Sequence, residues 1–196
     1  MRAFLAVPAD PGWVDSARKL VQQLKPELPV ASWTRPESWH LTLKFLGEIS
    51  AEALDRFAGA MGDSIGRTCG GELWRGGAIV FPPRGRPRVL GVGFADGSTA
   101  LASLRELAST AARASRRVGK ATESRPFHPH VTLARIRKPW PAADVESFRS
   151  AAERWEFPQW PVRSLVIFES RLEPSGAIHA PLREWAMAQA GATVPA

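Results

Sequence analysis

The chain has 196 residues, of which 44% are hydrophobic and 23% charged, and 26 Lys and Arg against 19 Asp and Glu give a net charge of +7. These proportions are typical of a soluble globular protein, and no apolar run approaches the roughly 20 residues of a membrane span. The single cysteine excludes an internal disulfide framework and a multi-cysteine metal site. The positive charge favours a polyanionic partner, although a basic surface can equally serve solubility alone.

The N-terminal segment gives no sign of export. Its apolar stretch from Ala3 to Pro8 is too short for the core of a signal peptide and leads directly into Asp10 and Gly12. We therefore expect a cytoplasmic protein without membrane association. Nothing in the sequence indicates an obligate subunit interface, so we also expect a monomer.

The first half of the chain mixes strand and helix signals. Apolar runs bounded by Gly and Pro predict strands, and apolar residues three and four apart predict helices. In chain order, the predicted elements are a strand at 2–8, a helix at 11–25, strands at 30–34 and 40–46, a helix with Ser50 as N-cap to about Ile65, and strands at 70–81 and 88–95.

The second half repeats this order of elements. Its predicted elements are a helix at 98–118, an Arg-rich link at 119–127, a strand at 130–136, a helix capped by Asp144 to about Trp155, and short strands at 162–169, 171–173 and 177–182. Residues after about Met187 are small and aperiodic, and we expect residues 188–196 to form a flexible tail.

This order of elements predicts the fold class. Several strands follow one another without strict β-α-β alternation, which favours an α+β fold with antiparallel sheets. The repeated order predicts one domain over residues 1–187 built from two similar lobes. We expect two antiparallel sheets flanking a central cleft, with helices on the outside.

A repeated nine-residue pattern, Arg-Pro-x-x-x-His-x-Thr-Leu, is the most informative feature of the sequence. Its two copies lie ninety positions apart in a chain with only four histidines. The first copy consists of Arg35, Pro36, His40, Thr42 and Leu43, and the second of Arg125, Pro126, His130, Thr132 and Leu133. Each copy begins a predicted strand, in which residues i and i+2 share a face. Each copy therefore presents an imidazole beside a hydroxyl.

Two such pairs facing one cleft fit in-line displacement at a phosphate. Histidine takes up and releases protons near neutrality, so His40 and His130 can supply the base and the acid without a metal or other cofactor. Thr42 and Thr132 can be ordinary β-branched strand residues. Beside the histidines, their hydroxyls can instead hold the non-bridging phosphate oxygens.

Two further cations follow the paired residues. Lys44 continues the even-numbered face of His40 and Thr42, so alternation directs it to the same cleft. Arg135 is odd-numbered, and strict alternation places it on the face opposite to His130. It reaches a phosphate only if the strand ends or twists before it.

Other residues near the motifs have open alternatives. Arg35 and Arg125 precede the turns into the strands and can be substrate contacts or surface turn residues. His128 and the two motif histidines could form a three-nitrogen metal site, but no carboxylate or other supporting partner is evident, and we expect no metal. His179 is expected to be structural. Most aromatic residues nearby belong to a core, and one or two can stack a base; the candidates are Trp33, Trp39, Phe45, Phe127 and Phe168.

Three segments carry a resemblance to a known family. WTRPESWHLTLKFLGEIS (33–50), RPFHPHVTLARIR (125–137) and VIFESRLEPSG (166–176) closely resemble the 2H phosphoesterase superfamily. Within it they are most similar to the bacterial and archaeal RNA 2′,3′-cyclic phosphodiesterase family, historically called 2′-5′ RNA ligases. The resemblance covers nearly the whole chain.

The resemblance implies a bilobal, pseudo-symmetric α+β fold with a basic cleft that opens 2′,3′-cyclic phosphate ends of RNA to leave a 2′-phosphate. It implies that His40 is the proton donor and His130 the acceptor, that Thr42 and Thr132 bind phosphate, and that Arg135 has a role. Many relatives carry Tyr where this chain has Phe168, so a phenolic contact is absent while ring stacking remains available.

Three rival functions stay open at this point. A relative of this kind could act on a small cyclic nucleotide such as ADP-ribose cyclic phosphate, or join RNA ends by 2′-5′ ligation. A module that binds RNA without catalysis is the rival from another class, and the presence of both histidines and both threonines counts against it.

Overall fold

The computed structural model describes residues 1–120, 126–173 and 176–188, apart from the side chain of Leu172. Its helices are α1 (Pro11–Glu27), α2 (Ala51–Gly66), α3 (Thr99–Arg117) and α4 (Ala142–Arg154), with a 3₁₀ helix at Pro36–Ser38. Its strands are β1 (Arg2–Pro8), β2 (Ser32–Trp33), β3 (His40–Glu48), β4 (Gly71–Leu73), β5 (Arg75–Phe81), β6 (Val89–Phe94), β7 (His130–Arg135), β8 (Trp160–Val162), β9 (Ser164–Glu173) and β10 (Gly176–Ala186).

Eight of these strands form a single antiparallel sheet. Its order is β10-β9-β1-β3-β7-β6-β5, and β2 also pairs with β7, while β4 and β8 form a separate two-stranded ribbon. The first and second halves of the large sheet meet between β3 and β7, where the register gives the single pair Leu41 and Val131. The α+β class with antiparallel pairing is therefore confirmed. The two expected sheets are joined at this seam into one.

The helices cover one face of the large sheet and leave the other for the motif residues. α2 packs on α3 and β10, α3 on β3, and α4 on β5 and α1. Alternate strand residues that face the helices join the main hydrophobic core, among them Leu5, Leu41, Val92 and Val131. The residues between them on β3 and β7 face the opposite side, and these include the motif histidines.

Helix starts follow the polar caps that the sequence carries. Ser50 and Ser98 accept hydrogen bonds from Ala53 N at 3.3 Å and Leu101 N at 3.2 Å, and Asp10 caps α1 in the same way. Each such cap contributes about 1 kcal/mol to helix stability. The fourth helix is present as predicted, but the prediction of Asp144 as its N-cap was wrong, because α4 begins after Pro141 and Asp144 lies in its first turn.

Several strand boundaries also differ from the prediction. The expected strand at 70–81 is divided at Trp74, because its first part pairs with β8 and its second with β6. The expected strands at 162–169 and 171–173 are one continuous strand, β9, held by its long antiparallel pairing with β10. Local sequence could not indicate these partners, which come from distant parts of the chain.

The C-terminal segment is partly described. Ala188, expected in the tail, instead accepts a hydrogen bond from Gly70 N at 2.7 Å, and the rest of the predicted tail lies outside the described residues. The helices within the described ranges are all too short or too polar to cross a membrane.

Candidate active site

The seam between β3 and β7 brings the two motifs together. Because these strands are antiparallel and Leu41 pairs with Val131, the neighbouring register positions set His40 across from Thr132 and Thr42 across from His130. All four side chains are partly exposed, and all lie on the face away from the helices. The structure thus brings together the imidazole and hydroxyl pairs that the repeated pattern predicted.

Each histidine is oriented by the chain just before it. His40 Nδ1 lies 2.7 Å from the carbonyl oxygen of Ser38, and His130 Nδ1 lies 2.8 Å from that of His128. A carbonyl can only accept, so in both rings Nδ1 carries the hydrogen and donates it. Nε2 is therefore the nitrogen left for proton exchange in both rings. This matched arrangement preserves the pseudo-symmetry of the motifs at the atomic level.

A β-bulge in each motif decides which cation reaches the cleft. On β7, Gly91 pairs with Thr132 but Leu90 pairs with Ala134, so Leu133 is an extra residue and alternation shifts by one. Arg135 consequently shares the face of His130 and Thr132. Its guanidinium acts electrostatically on both His40 and His130. Strict alternation would have placed Arg135 on the opposite face, and the bulge is the irregularity that brings it to the cleft.

The same kind of bulge makes the prediction for Lys44 wrong. On β3, Ala6 pairs with Thr42 but Leu5 pairs with Lys44, so Leu43 is the extra residue. Lys44 therefore shares the face of Leu5, away from the cleft, and is only 6% exposed. Phe45 takes the cleft position instead, where it is 47% exposed and its ring centroid lies 5.8 Å from that of Phe4.

The residues that the two bulges bring into the cleft differ in character. Phe45 and Arg135 occupy equivalent places, each five residues after its motif histidine. One corner of the cleft is therefore apolar and the other cationic. A ligand with an anionic end and an aromatic end therefore fits in one orientation, with the anionic end at Arg135 and the aromatic end at Phe45.

An aromatic group surrounds His40. The ring of Phe4 lies 4.6 Å from that of His40 and stacks on Phe168 at 5.4 Å. His179 lies 4.9 Å from both Phe4 and His40, with its ring edge-on to each. His179 was expected to be structural, but its contact with His40 places it at the site. The signal was available only in the pairing of β9 with both β1 and β10.

The second histidine has its own aromatic neighbour. The ring of Phe81, at the end of β5, lies 5.2 Å from that of His130 and 5.7 Å from that of His128. Phe81 was not among the sequence candidates. It reaches the site because it pairs with Val89, which in turn pairs with Arg135 on the cleft face.

A cavity of about 390 Å³ adjoins His40 on the side of α1. Its walls include Pro11 and Val14 from α1, Glu37 from the 3₁₀ helix, and the rings of Phe168 and His179. The walls therefore combine apolar surfaces with a few polar groups. Phe168 is thus both beside a motif histidine and open to the cavity.

The remaining candidates lie farther out or outside the described residues. Arg35 is exposed at the start of the 3₁₀ helix, and Phe127 is partly buried against the core. Arg125 lies outside the described residues. In the described ranges, no three His, Cys, Asp or Glu side chains are close enough together to hold a metal ion, which counts against the three-histidine metal site.

The environment keeps the histidines uncharged in the free protein. Burial, followed by the nearby His179, lowers the pKa of His40 to about 4, although the hydrogen bond to Ser38 acts in the opposite direction. Burial is also the main cause of the lowered pKa of His130, with smaller contributions from His128 and Arg135. Burial lowers the pKa of His179 as well. At pH 7 both motif imidazoles are therefore neutral before a ligand binds.

The fold and the repeated histidine motifs define a 2H phosphoesterase, and the chain belongs to the family described as LigT like Phosphoesterase, whose model matches residues 7–90 and 98–179. The resemblance noted in the sequence is thereby confirmed. A phosphoesterase class also agrees with the paired imidazoles and hydroxyls at the seam.

Individual relatives are named RNA 2′,3′-cyclic phosphodiesterase. The one from Archaeoglobus fulgidus is 29% identical over 187 residues, covering 93% of this chain and 98% of that protein. The one from Thermus thermophilus is 30% identical over 191 residues, covering 95% of this chain and 90% of that protein.

Solved structures share the fold. TT0787 of Thermus thermophilus superposes with a TM-score of 0.75 at 24% identity, covering 96% of this chain and 99% of that chain. Escherichia coli LigT complexed with 3′-AMP superposes with a TM-score of 0.71 at 23% identity, covering 96% of this chain and 98% of that one. At these identities the likeness concerns the fold.

Proposed function

We propose that the protein hydrolyses 2′,3′-cyclic phosphate ends of RNA to 2′-phosphomonoesters, acting as a cytoplasmic monomer without a metal. The observation that carries this proposal is the register across the seam, which sets each motif histidine opposite the threonine of the other motif. The RNA specificity is supported by the names of the relatives and by the net charge of +7.

In this mechanism the two histidines exchange protons through Nε2. His130 takes a proton from a water molecule, which attacks phosphorus in line, and His40 protonates the departing 3′ oxygen. The Nδ1 hydrogen bonds to Ser38 and His128 keep both rings in the tautomer that this exchange requires. The assignment of His40 as the proton donor and His130 as the acceptor is the one that the resemblance to the superfamily implies.

The anionic oxygens of the phosphate are held by neutral and charged donors. Thr42 and Thr132 contribute hydroxyls from the two sides of the seam, and Arg135 adds a guanidinium at the cationic corner. Donors already in place where negative charge develops lower the barrier without reorganisation during the reaction. Lys44 has no part in this arrangement, because it lies on the opposite face.

The terminal nucleoside lies toward the aromatic corner. Phe45 and Phe168 offer ring faces there, and stacking on such rings contributes about 1–3 kcal/mol per base. The cavity beside Phe168 and His179 can take a base. Arg35, Arg125 and Phe127 remain further candidates for substrate contacts.

His40, the proposed acid, must be protonated to act, whereas burial lowers its pKa in the free protein to about 4. A bound cyclic phosphate brings a negative charge next to the ring, and such a charge raises a histidine pKa. Protonation of His40 is thus coupled to substrate binding. In the free protein only a minority of molecules at pH 7 have one protonated and one neutral histidine.

This coupling predicts an acidic pH optimum. kcat/KM reports the ionisations of the free enzyme, and both motif histidines have a pKa below the usual value of 6.5. The singly protonated pair is therefore most abundant below pH 6.5, and we expect kcat/KM on a 2′,3′-cyclic nucleotide to peak there and to fall at higher pH. His179 lowers the pKa of His40, so His179→Gln should raise that pKa. The acidic limb of the kcat/KM profile should then move to higher pH. A peak above pH 7 in the parent protein would contradict this assignment.

Product analysis tests the reaction itself. A short RNA ending in a 2′,3′-cyclic phosphate is incubated with the protein in EDTA, and the position of the phosphate in the product is determined by ³¹P NMR. We expect full activity and a product in which the 2′ oxygen keeps the phosphorus. A 3′-phosphate product, or activity restored only by added zinc, would overturn the proposal. Formation of 2′-5′ linked strands under the same conditions would instead support the ligase alternative.

A further inference from the structure

A group of five exposed cations lies beyond the catalytic cleft on the second half of the sheet. We call it the cationic shelf, and its residues are Arg84, Arg86, Arg88, Arg137 and Lys138. The first three belong to the loop between β5 and β6, and the last two follow the end of β7. The proposed mechanism uses none of them.

Backbone pairing holds the two parts of the shelf together. Ile136 N donates to the carbonyl oxygen of Arg88 at 2.9 Å, which continues the ladder between β6 and β7. The Arg86 guanidinium donates to the carbonyl oxygen of Arg137 at 3.3 Å. A depression of about 350 Å³ lies between these residues, lined by Arg86, Arg88, Ile136 and Arg137. Three arginines therefore border one concave space.

No acidic side chain offsets this charge within the segments that form the shelf. Residues 75–95 and 126–143 contain no Asp or Glu, and the ion pairs among the described residues involve no shelf residue. Like charges around one depression repel one another, so an anion in the depression relieves an unfavourable interaction. The guanidinium group also matches a phosphate geometrically, because it donates in a planar fork.

The end of β7 connects the shelf to the phosphate end of the cleft. Arg135 pairs with Val89 at the last rung before the shelf, and Arg137 follows two residues later, roughly 7 Å along an extended chain. The positive charge thus continues from the cationic corner of the cleft along the end of β7. An extended polyanion bound at Arg135 can run onto the shelf without crossing an acidic region in these segments.

We propose that the cationic shelf binds backbone phosphates of the RNA strand whose terminal cyclic phosphate lies between His40 and His130. This inference rests on the proposed function and adds to it a preference for a polynucleotide over a mononucleotide. An RNA strand is favoured over an acidic protein because the shelf continues a site already assigned to phosphate and exposes Arg, Lys, Pro and Gly residues without an apolar patch.

The test compares a long and a minimal ligand in a triple variant of the shelf, Arg86→Gln, Arg88→Gln and Arg137→Gln. Binding is measured by fluorescence anisotropy with a labelled RNA of about 12 nucleotides ending in a 2′-phosphate, and turnover with 2′,3′-cyclic AMP. We expect Kd for the RNA to rise about tenfold or more. The slope of log K against log salt should shrink by about 2, because each lost single-strand contact contributes about 0.7. Turnover of the mononucleotide should be unchanged.

A matched variant removes the same charge elsewhere. Arg113→Gln, Arg116→Gln and Arg117→Gln lie on the exposed side of α3 and should leave RNA binding within about twofold. Two results would overturn the proposal that the shelf binds RNA. One is RNA binding by the shelf variant equal to that of the parent, and the other is an equal loss of RNA affinity in the α3 variant. A second shelf variant, Arg86→Lys with Arg137→Lys, retains the charge and should keep most of the affinity for RNA. This result would show that weaker binding in the glutamine variant comes from the lost charge and not from misfolding. A parent protein that binds RNA but turns over neither a cyclic RNA end nor 2′,3′-cyclic AMP would contradict the proposed function and leave the binding result standing.

Discussion

Replacing either motif histidine by asparagine should lower kcat/KM on a cyclic-phosphate RNA by about 10²–10⁴, the usual contribution of one proton-transfer group. The asparagine amide can still donate to the carbonyl oxygens of Ser38 or His128, so His40→Asn and His130→Asn should keep the local backbone and a melting temperature close to that of the parent. The loss is then chemical and not structural. Steady-state kinetics and circular dichroism melting measure the two effects separately.

The double variant adds a further expectation. In the proposed mechanism the two histidines act on one transition state, so losing both should cost little more than losing one. His128→Asn provides a matched control: this histidine is exposed beside His130, and it orients the ring of His130 through its backbone carbonyl, which the substitution keeps. This substitution should change kcat/KM by less than about tenfold.

Near-parent activity in either His40→Asn or His130→Asn would refute the two-histidine mechanism.

Arg135→Met should lower kcat/KM by about 10²–10³, the cost of removing one donor to the developing charge, whereas Lys44→Met should leave it nearly unchanged. Both substitutions remove one positive charge and keep an unbranched side chain. They differ in position, because the bulges place Arg135 in the cleft and Lys44 against the core face. A comparison of the two variants therefore measures the consequence of the bulges directly.

Arg135→Met should also change the pH profile. Arg135 contributes to the lowered pKa of both His40 and His130, so its removal should raise both and move the kcat/KM profile toward higher pH. A residue that only supported the strand would not shift the profile. Equal losses of activity in the two methionine variants, with no shift in pH, would contradict the placement of Arg135.

Much of the site could be predicted because its information is local. Within each motif, His and Thr are two residues apart on a strand, so they share a face whatever the strand pairs with. The duplication then indicated that the two pairs act together. Helix starts at Ser50 and Ser98 were equally local, because a cap is formed by a side chain and the backbone two or three residues ahead.

The aromatic neighbours could not be found in this way. Phe4, Phe81 and His179 lie far from both motifs in sequence and reach the histidines through strand pairing. Their types are ordinary for strands, so no local pattern distinguishes them from core residues.

The sequence by itself determined which reactive groups are paired: two imidazoles and two hydroxyls, each pair fixed to one face by the two-residue period of a strand. The tertiary structure decided which other side chains join them. A bulge of one residue in each motif reverses alternation, so that Arg135 and Phe45 enter the cleft and Lys44 leaves it. Such a bulge is set by the register against neighbouring strands, and that register depends on pairing partners that local periodicity does not encode.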